Sequence, residues 1–368
     1  MLILSRWKSF TRWDVHDPDG PPRQRRSLKV DAPVVHWFST SDGAQLRLTR
    51  YQGGSKGPVM LVHCIGVSSL MYSMDTVETN LLEYLFAEGY DVWLLDFRLS
   101  IELPDSLAQA TLDDVATKDY PAAAAKVREL AGVESIQVVA HGVGSSTFAM
   151  AMLSGMQGVR SAVCSQVSTH LIPPTINRLK TGVCISGALA RAGLKSVTAY
   201  VDRRAGWADR LYDWSLVMYP IASEERCDSP VCRRITSLYG HLYEHDKLGQ
   251  PTHHVLHEMF GTVNMRSLQQ LGSITRKRHL VDAAGDEAYL PNLDRMAIPI
   301  AFIHGGENEC VLPKSTQITL DVLSKRNGAG LYKRHIIPDY GHVDCIIGEN
   351  ASIDVFPFIL QHLDETAA

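Results

Sequence analysis

A short motif in the middle of the chain has the residues and spacing of a turn that presents a nucleophile. The sequence AHGVG at residues 140–144 sets a central residue between small neighbours, after an apolar run and before a helical pattern. Such a turn forces its central residue into a strained conformation with positive φ. Gly142 stands there, which relieves the strain but offers no atom for covalent catalysis. The motif predicts either an emptied nucleophile position or an ordinary strand-to-helix turn.

A second motif could supply the electrophilic side of the same chemistry. The sequence HCIG at residues 63–66 directly follows an apolar run, where an HG-x-G loop would donate a backbone N–H to an oxyanion. In that interpretation, the amides of Ile65 and Val143 form the oxyanion hole. Cys64 stands where glycine is usual, so its thiol could lie near the emptied position at residue 142. A small buried residue is the simpler interpretation.

Two motifs near the C-terminus could complete a triad in the order nucleophile, acid, histidine. The sequence DYGHVD at residues 339–344 precedes the last helix and predicts His342 as the general base. In the loop HGGENECVLP at residues 304–313, Asn308 takes the place of the acid, and it could orient the imidazole by accepting from Nδ1–H. Glu307 and Glu309 are the alternatives. His141 and Tyr340, beside these motifs, are assigned to substrate binding.

The cysteines and histidines of the middle region do not form a recognisable metal motif. Cys227 and Cys232 are the only closely spaced pair among seven cysteines, and a zinc site would require a second pair of ligands at similar spacing. The sequence HHVLHE at residues 253–258 reverses the zinc-protease order. We therefore expect no metal and no other cofactor, and we interpret these histidines as solvated or hydrogen-bonded: His241, His245, His253, His254 and His257.

The elements that must position these motifs alternate between strand and helix. Apolar runs predict strands at residues 34–38, 45–51, 59–64, 91–96, 135–140, 161–167, 299–304 and 331–337. Helical patterns fall between most of them, at about residues 70–86, 112–130, 144–154, 315–326 and 351–363. The alternation predicts an α/β fold with a mostly parallel eight-stranded sheet and helices on both faces. We expect an N-terminal arm (1–30), a core in two parts (31–167 and 298–368) and a helical cap inserted after strand 6 (168–297).

Composition limits the partners of the chain. Its 368 residues are 45% hydrophobic and 21% charged, with a formal net charge of −4, as in ordinary globular proteins. Nothing in this charge balance favours binding to nucleic acid. The start of the chain has only four apolar residues before Ser5, and no 18-residue apolar stretch follows, which predicts a cytoplasmic protein without a membrane span. The Tyr, Met and Leu content of the cap favours an apolar small-molecule substrate.

Taken together, the motifs resemble the α/β-hydrolase units that are fused or adjacent to GMC-type oxidoreductases of the cholesterol-oxidase-like kind. The resemblance rests on DVWLLDFR, VVAHGVGS, GGENECVLP, DYGHVDCIIGENASIDVFP and the long segment CDSPVCRRITSLYGHLYEHDKLGQPTHHVLHEMFG. It implies an α/β-hydrolase fold, a hydrolase or acyltransferase acting on an ester, thioester or lactone, and association with an oxidoreductase partner. It also implies that asparagine at position 308 is usual.

The resemblance further implies a cysteine nucleophile at position 142, where this chain has Gly142. Either the chain is an inactivated variant, or it is a natural protein that has lost or changed the covalent step. Two alternatives from other classes remain. One is a non-covalent lyase or cyclase that uses His342 as general base, and the other is a ligand-binding protein without turnover.

Overall fold

One eight-stranded sheet forms the centre of the protein. The computed structural model describes residues 15–174, 193, 195–218, 227 and 229–367. The strand order is β1-β2-β4-β3-β5-β6-β9-β10, in which β2 pairs antiparallel with both β1 and β4 and all other neighbouring strands pair parallel. The predicted sheet is therefore confirmed. Its strands are β1 (Val34–Ser39), β2 (Gln45–Tyr51), β3 (Pro58–Val62), β4 (Asp91–Asp96), β5 (Ile136–His141), β6 (Val159–Ser165), β9 (Ile300–Gly305) and β10 (Tyr332–Ile337).

Helices cover both faces of this sheet, and two layers of buried apolar side chains separate them from it. The helices of the sheet region are α1 (Leu81–Ala87), α2 (Leu112–Asp114), α3 (Tyr120–Ala131), α4 (Val143–Leu153), α10 (Lys314–Asn327), α11 (Asp344–Ile347), α12 (Ala351–Asp354) and α13 (Phe356–Glu365). A π-helical turn at Val115–Asp119 joins α2 to α3.

The helix predicted at about residues 70–86 is shorter in the structure. Only a 3₁₀ turn at Ser69–Tyr72 and α1 are helical. Asn80 accepts a hydrogen bond from the Glu83 amide, and the Glu83 side chain accepts one from the Asn80 amide. This capping box fixes the start of α1 at residue 81, which the apolar spacing alone did not reveal.

The segment between β6 and β9, residues 166–299, is called the insertion below. Its described helices are α5 (Trp207–Met218), α6 (Pro230–Tyr239), α7 (Gln250–His254), α8 (Leu256–Met259) and α9 (Met265–Lys277). It also contains two strands, β7 (Ser196–Thr198) and β8 (Thr262–Asn264), which pair antiparallel. The sequence predicted only helices there. The β-branched residues of SVT and TVN favour this short extended pair.

Part of the N-terminal arm is fixed to the surface by ion pairs, while residues 1–14 lie outside the described residues. Arg23 donates to Asp75 and Glu258, and Arg26 forms a two-bond pair with Glu83. Because Glu258 belongs to α8, the arm contacts both the sheet region and the insertion. Among the described residues, no helix combines the length and the apolar character that crossing a bilayer requires.

Candidate active site

The parallel strands β3, β5, β9 and β10 end at the same edge of the sheet, and each is followed by one of the motifs. In an α/β sheet, ligands bind outside the carboxyl ends of the strands. Cys64 follows β3, Gly142 follows β5, Asn308 follows β9 and His342 follows β10. The topology therefore gathers residues that are far apart in the chain, since Cys64 and His342 are separated by 278 positions (342 − 64).

The turn between β5 and α4 has the geometry of a nucleophile elbow. Gly142 has φ 56° and ψ −129°, a conformation that costs a residue with a side chain on the order of 1–3 kcal/mol. Strand and helix also approach closely, because a Cβ atom on Gly144 would lie only 2.2 Å from the His63 carbonyl oxygen. The packing of this turn therefore requires glycine at position 144.

Two side chains converge on the space beside Gly142. A Cβ atom on this glycine would lie 2.7 Å from Cys64 Sγ and 2.9 Å from His342 Nε2. The His342 side chain is buried, whereas Cys64 keeps partial exposure. The thiol and the imidazole thus flank the point from which a nucleophile at position 142 would extend.

The sulfur of Cys64 lies at the first turn of α4. The Val143 amide donates to Sγ at 3.3 Å, and the amides of Ile65 and Gly144 also interact with the sulfur. Burial nevertheless raises the pKa of the Cys64 thiol, with these three amides acting in the opposite direction. At neutral pH the group is a protonated thiol, but the amides are arranged to stabilise negative charge at this point.

Asn308 contacts His342 with its amide nitrogen and not with its oxygen. Oδ1 accepts from the Cys310 and Val311 amides, both at 2.9 Å. Nδ2 therefore faces the other side, where it donates to Gln166 Oε1 at 2.8 Å and lies 3.0 Å from His342 Nδ1. Since an amide nitrogen can only donate, Nδ1 must accept and the ring proton lies on Nε2. The expectation that Asn308 accepts from Nδ1–H is therefore wrong, because backbone groups already use its oxygen.

His342 is held in the neutral state. Burial is the main cause that lowers its pKa well below the ordinary value, and the neighbouring His141 and His304 lower it further. His141 is itself buried, with a pKa lowered to about 3 by desolvation, and its ring stands edge-on to His342 at 5.0 Å. A neutral ring with its proton on Nε2 can donate a hydrogen bond towards Cys64 and Gly142, but it has no lone pair there to act as a base.

Three other residues predicted for the site, Glu307, Glu309 and Tyr340, lie away from the space beside Gly142. Glu307 and Glu309 are both exposed, and Glu309 lies 3.8 Å from His241. Tyr340 is buried, and its hydroxyl donates to Asp354 on α12 at 2.7 Å. Of the three candidates for orienting His342, Asn308 is the one whose side chain contacts it.

Two residues of this site, Gln166 and Tyr239, were not predicted from the sequence. Gln166 follows β6 with a positive φ of 76°, and its Oε1 accepts from both Gly305 and Asn308. Tyr239, at the end of α6, places its buried hydroxyl 2.0 Å from where a Cβ on Gly66 would lie, so the insertion covers the HCIG loop. No spacing rule points to either residue. The positive φ of Gln166 is visible only in the structure.

Comparison with known proteins finds no matching family model. A probable lipase of Schizosaccharomyces pombe is 22% identical, and the alignment covers 90% of this chain and 75% of the lipase. Human lipase member K is 23% identical, with 92% of this chain and 91% of the lipase covered.

Two solved structures share the fold at lower identity. A soluble variant of monoglyceride lipase from Saccharomyces cerevisiae superposes with a TM-score of 0.59 at 13% identity, covering 93% of this chain and 98% of the lipase. The Pyrococcus furiosus esterase Pf2001 superposes with a TM-score of 0.52 at 15% identity, covering 95% of this chain and all of the esterase. With the sheet order and the elbow turn, these likenesses identify the chain as a protein of the α/β-hydrolase fold.

Proposed function

We propose that the protein is an ester-hydrolase-type enzyme that acts on an ester, thioester or lactone of an apolar small molecule. In this proposal the thiol of Cys64 replaces the nucleophile that is absent at position 142. The observation that carries it is the position of Sγ, 2.7 Å from where a Cβ on Gly142 would lie. Relatives suggested by the resemblance have cysteine at 142, and the fold usually has glycine at 64. This chain has the two residue types exchanged, which keeps one thiol in the same space.

The proposed reaction uses groups that the site already holds. The Cys64 thiol loses its proton to solvent, and the thiolate attacks the carbonyl carbon. Once sulfur is bonded to carbon, the amides of Ile65 and Val143 are available to the carbonyl oxygen as an oxyanion hole. The leaving group departs with a proton from solvent, and water or another acceptor then cleaves the acyl–sulfur bond. The similarity to lipases and an esterase supports an ester as the substrate class.

A second candidate is a ligand-binding protein that has lost covalent turnover. The raised pKa of the Cys64 thiol and the amide contact at His342 favour it, because both work against thiolate formation. The lyase or cyclase alternative is weaker. It requires a lone pair on Nε2 of His342, whereas the hydrogen bond from Asn308 directs the ring proton to that atom.

The first experiment measures p-nitrophenyl ester turnover and the acyl adduct on the protein by mass spectrometry. The proposal predicts slow turnover with an adduct on Cys64, and the loss of both in Cys64→Ala. Cys310→Ser is the matched control, because Cys310 is another partly buried cysteine at the same sheet edge, and it should keep both signals.

The second experiment separates the two candidates. The double variant Cys64→Gly/Gly142→Cys removes the sulfur that would contact a new Cβ and places a thiol at the elbow, where the resemblance implies one and where ionisation to solvent needs no base on His342. If the unmodified chain forms no adduct and the double variant gains ester turnover, the proposal about Cys64 fails and the loss of covalent turnover is supported. Adduct formation on the unmodified chain that disappears only with Cys64 supports the proposal.

The insertion is proposed to act as a cap over this site, since Tyr239 packs above the HCIG loop. The resemblance adds an oxidoreductase as a proposed partner. Co-purification of the two proteins from a host that expresses both would test that association, and the absence of co-elution at micromolar concentrations would contradict it.

A further inference from the structure

Four metal-ligating side chains outside the proposed active site converge within the insertion. They are Cys227 before α6, Cys232 in its first turn, His245 in the following loop and His253 on α7. One ligand atom from each lies within 4.8 Å of all the others. The cysteine pair has no second cysteine pair near it along the chain. The fold instead brings it together with two histidines that have seven residues between them.

The contacts within this cluster are directed at one point. His253 Nε2 lies 3.1 Å from Cys232 Sγ and 3.4 Å from Cys227 Sγ. The rings of His245 and His253 have centroids 5.3 Å apart. A single nitrogen atom carries at most one proton, so a hydrogen bond from it serves only one of the two sulfurs well. Two sulfurs around one ring nitrogen are, in contrast, the ordinary arrangement of atoms that share a metal ion.

The distances fit a tetrahedral ion. Zinc binds sulfur at about 2.3 Å and histidine nitrogen at about 2.0 Å, so its ligand atoms lie roughly 3.3–3.8 Å apart. The two sulfur–nitrogen distances in the cluster are near this range before any adjustment. Two thiolates and two imidazoles form the Cys₂His₂ set that structural zinc sites use, and the thiolates exclude the hard cations that prefer oxygen ligands.

The surroundings of the sulfurs support thiolates. The Ser229 amide donates to Cys227 Sγ at 3.4 Å, and the Tyr243 hydroxyl donates to Cys232 Sγ at 3.1 Å. Such outer hydrogen bonds orient ligands and stabilise their charge. Cys232 is fully buried and the other three side chains are partly buried, so the cluster is largely shielded from solvent. Both cysteines are thiols in the structure and not a disulfide.

We propose that Cys227, Cys232, His245 and His253 bind one zinc ion that crosslinks α6, the loop after it and α7. The ion would fix the part of the insertion that touches the proposed active site. Leu242, three residues before His245, accepts backbone hydrogen bonds from the amides of His342 and Val343 with its carbonyl oxygen. The loop crosslinked by the metal is thus the loop that supports the His342 backbone.

The test begins with the full chain purified without a histidine tag under reducing conditions. Elemental mass spectrometry should find about one zinc per chain, because sites of this type bind zinc tightly at neutral pH. His253→Ala and Cys232→Ser should reduce the content to about one tenth or less. His254→Ala is the matched control, since this exposed neighbour lies outside the cluster, and it should keep its zinc.

A second measurement uses only the unmodified chain, so it tests the proposal even if the variants fail to fold. The unmodified chain is treated with chelator, and Co²⁺ is then added. Tetrahedral cobalt with two thiolates should give the intense sulfur-to-cobalt absorption, and zinc should abolish it. The proposal is overturned if the purified chain holds little zinc and cobalt gives no thiolate band. It is also overturned if His253→Ala retains as much zinc as His254→Ala, or if peptide mapping finds a Cys227–Cys232 disulfide.

Discussion

Replacing Asn308 with aspartate should convert His342 from a hydrogen-bond donor into a base. In Asn308→Asp, one carboxylate oxygen keeps the two backbone hydrogen bonds from residues 310 and 311, which are both 2.9 Å long. The other oxygen takes the place of Nδ2, 3.0 Å from Nδ1 of His342. Because a carboxylate only accepts, the ring proton moves to Nδ1 and Nε2 gains a lone pair facing the space beside Gly142, which Cys64 Sγ also borders.

The expected gain follows from the reverse change in serine proteases, where asparagine in place of the triad aspartate lowers kcat about 10⁴-fold through the wrong tautomer. We therefore expect thiol acylation to rise by up to about 10⁴-fold in Asn308→Asp. The negative charge should also raise the pKa of His342 from its lowered value. The variant has a stability cost, because its new oxygen lies where Nδ2 donated to Gln166 Oε1 at 2.8 Å. Two hydrogen-bond acceptors at that distance should lower the free energy of unfolding by about 1–3 kcal/mol.

The assay is the pre-steady-state release of p-nitrophenol from a short-chain ester between pH 6 and 9. The unmodified chain should acylate faster as pH rises, because burial raises the pKa of Cys64. In Asn308→Asp the increase should begin at lower pH. The control is the same substitution in a Cys64→Ala background, which should show no gain. A folded Asn308→Asp protein with an unchanged acylation rate would refute the tautomer argument.

Three further predictions follow from other contacts of the site and its neighbours. Gly142→Ala should lower the free energy of unfolding by about 1–3 kcal/mol, since its Cβ combines positive φ with a 2.7 Å contact to Cys64 Sγ. Urea denaturation measures this loss. Cys64→Gly in the same background should recover the part of the loss that comes from the contact with sulfur. Asp344 is buried, and desolvation raises its pKa from 3.8 to about 7. Its contribution to stability is therefore fully present below about pH 4 and is lost as pH rises through about 7. Asp344→Asn should remove this pH dependence of the urea midpoint, and an unchanged dependence would contradict the assignment. Cys64 should react with iodoacetamide slowly at pH 7 and faster up to at least pH 9, whereas a plateau below pH 8 would show a lowered pKa.

Much of the fold could be predicted from the sequence because buried parallel strands are continuous apolar runs. DVWLLD at residues 91–96 and QLRLTRY at residues 45–51 are strands with the predicted bounds, and the other sheet strands differ from prediction by one or two residues at their ends. The helix before it was overextended, since its start depends on the Asn80–Glu83 capping box and not on apolar spacing. The strands β7 and β8 were missed because each has only three residues and is stabilised by the other.

The sequence by itself determined which residues follow the strand ends, and that placed positions 64, 142, 308 and 342 on one edge of the sheet. Only the tertiary structure decided how they meet. The direction of the Asn308 amide depends on backbone N–H groups of its own loop, and the position of the Cys64 sulfur depends on the approach of α4 to the HCIG loop. The grouping of Cys227 and Cys232 with His245 and His253 likewise depends on how α6 packs near α7. Hydrogen-bond direction and ligand convergence are set by distances of a few ångströms between distant segments, and residue spacing along the chain does not encode them.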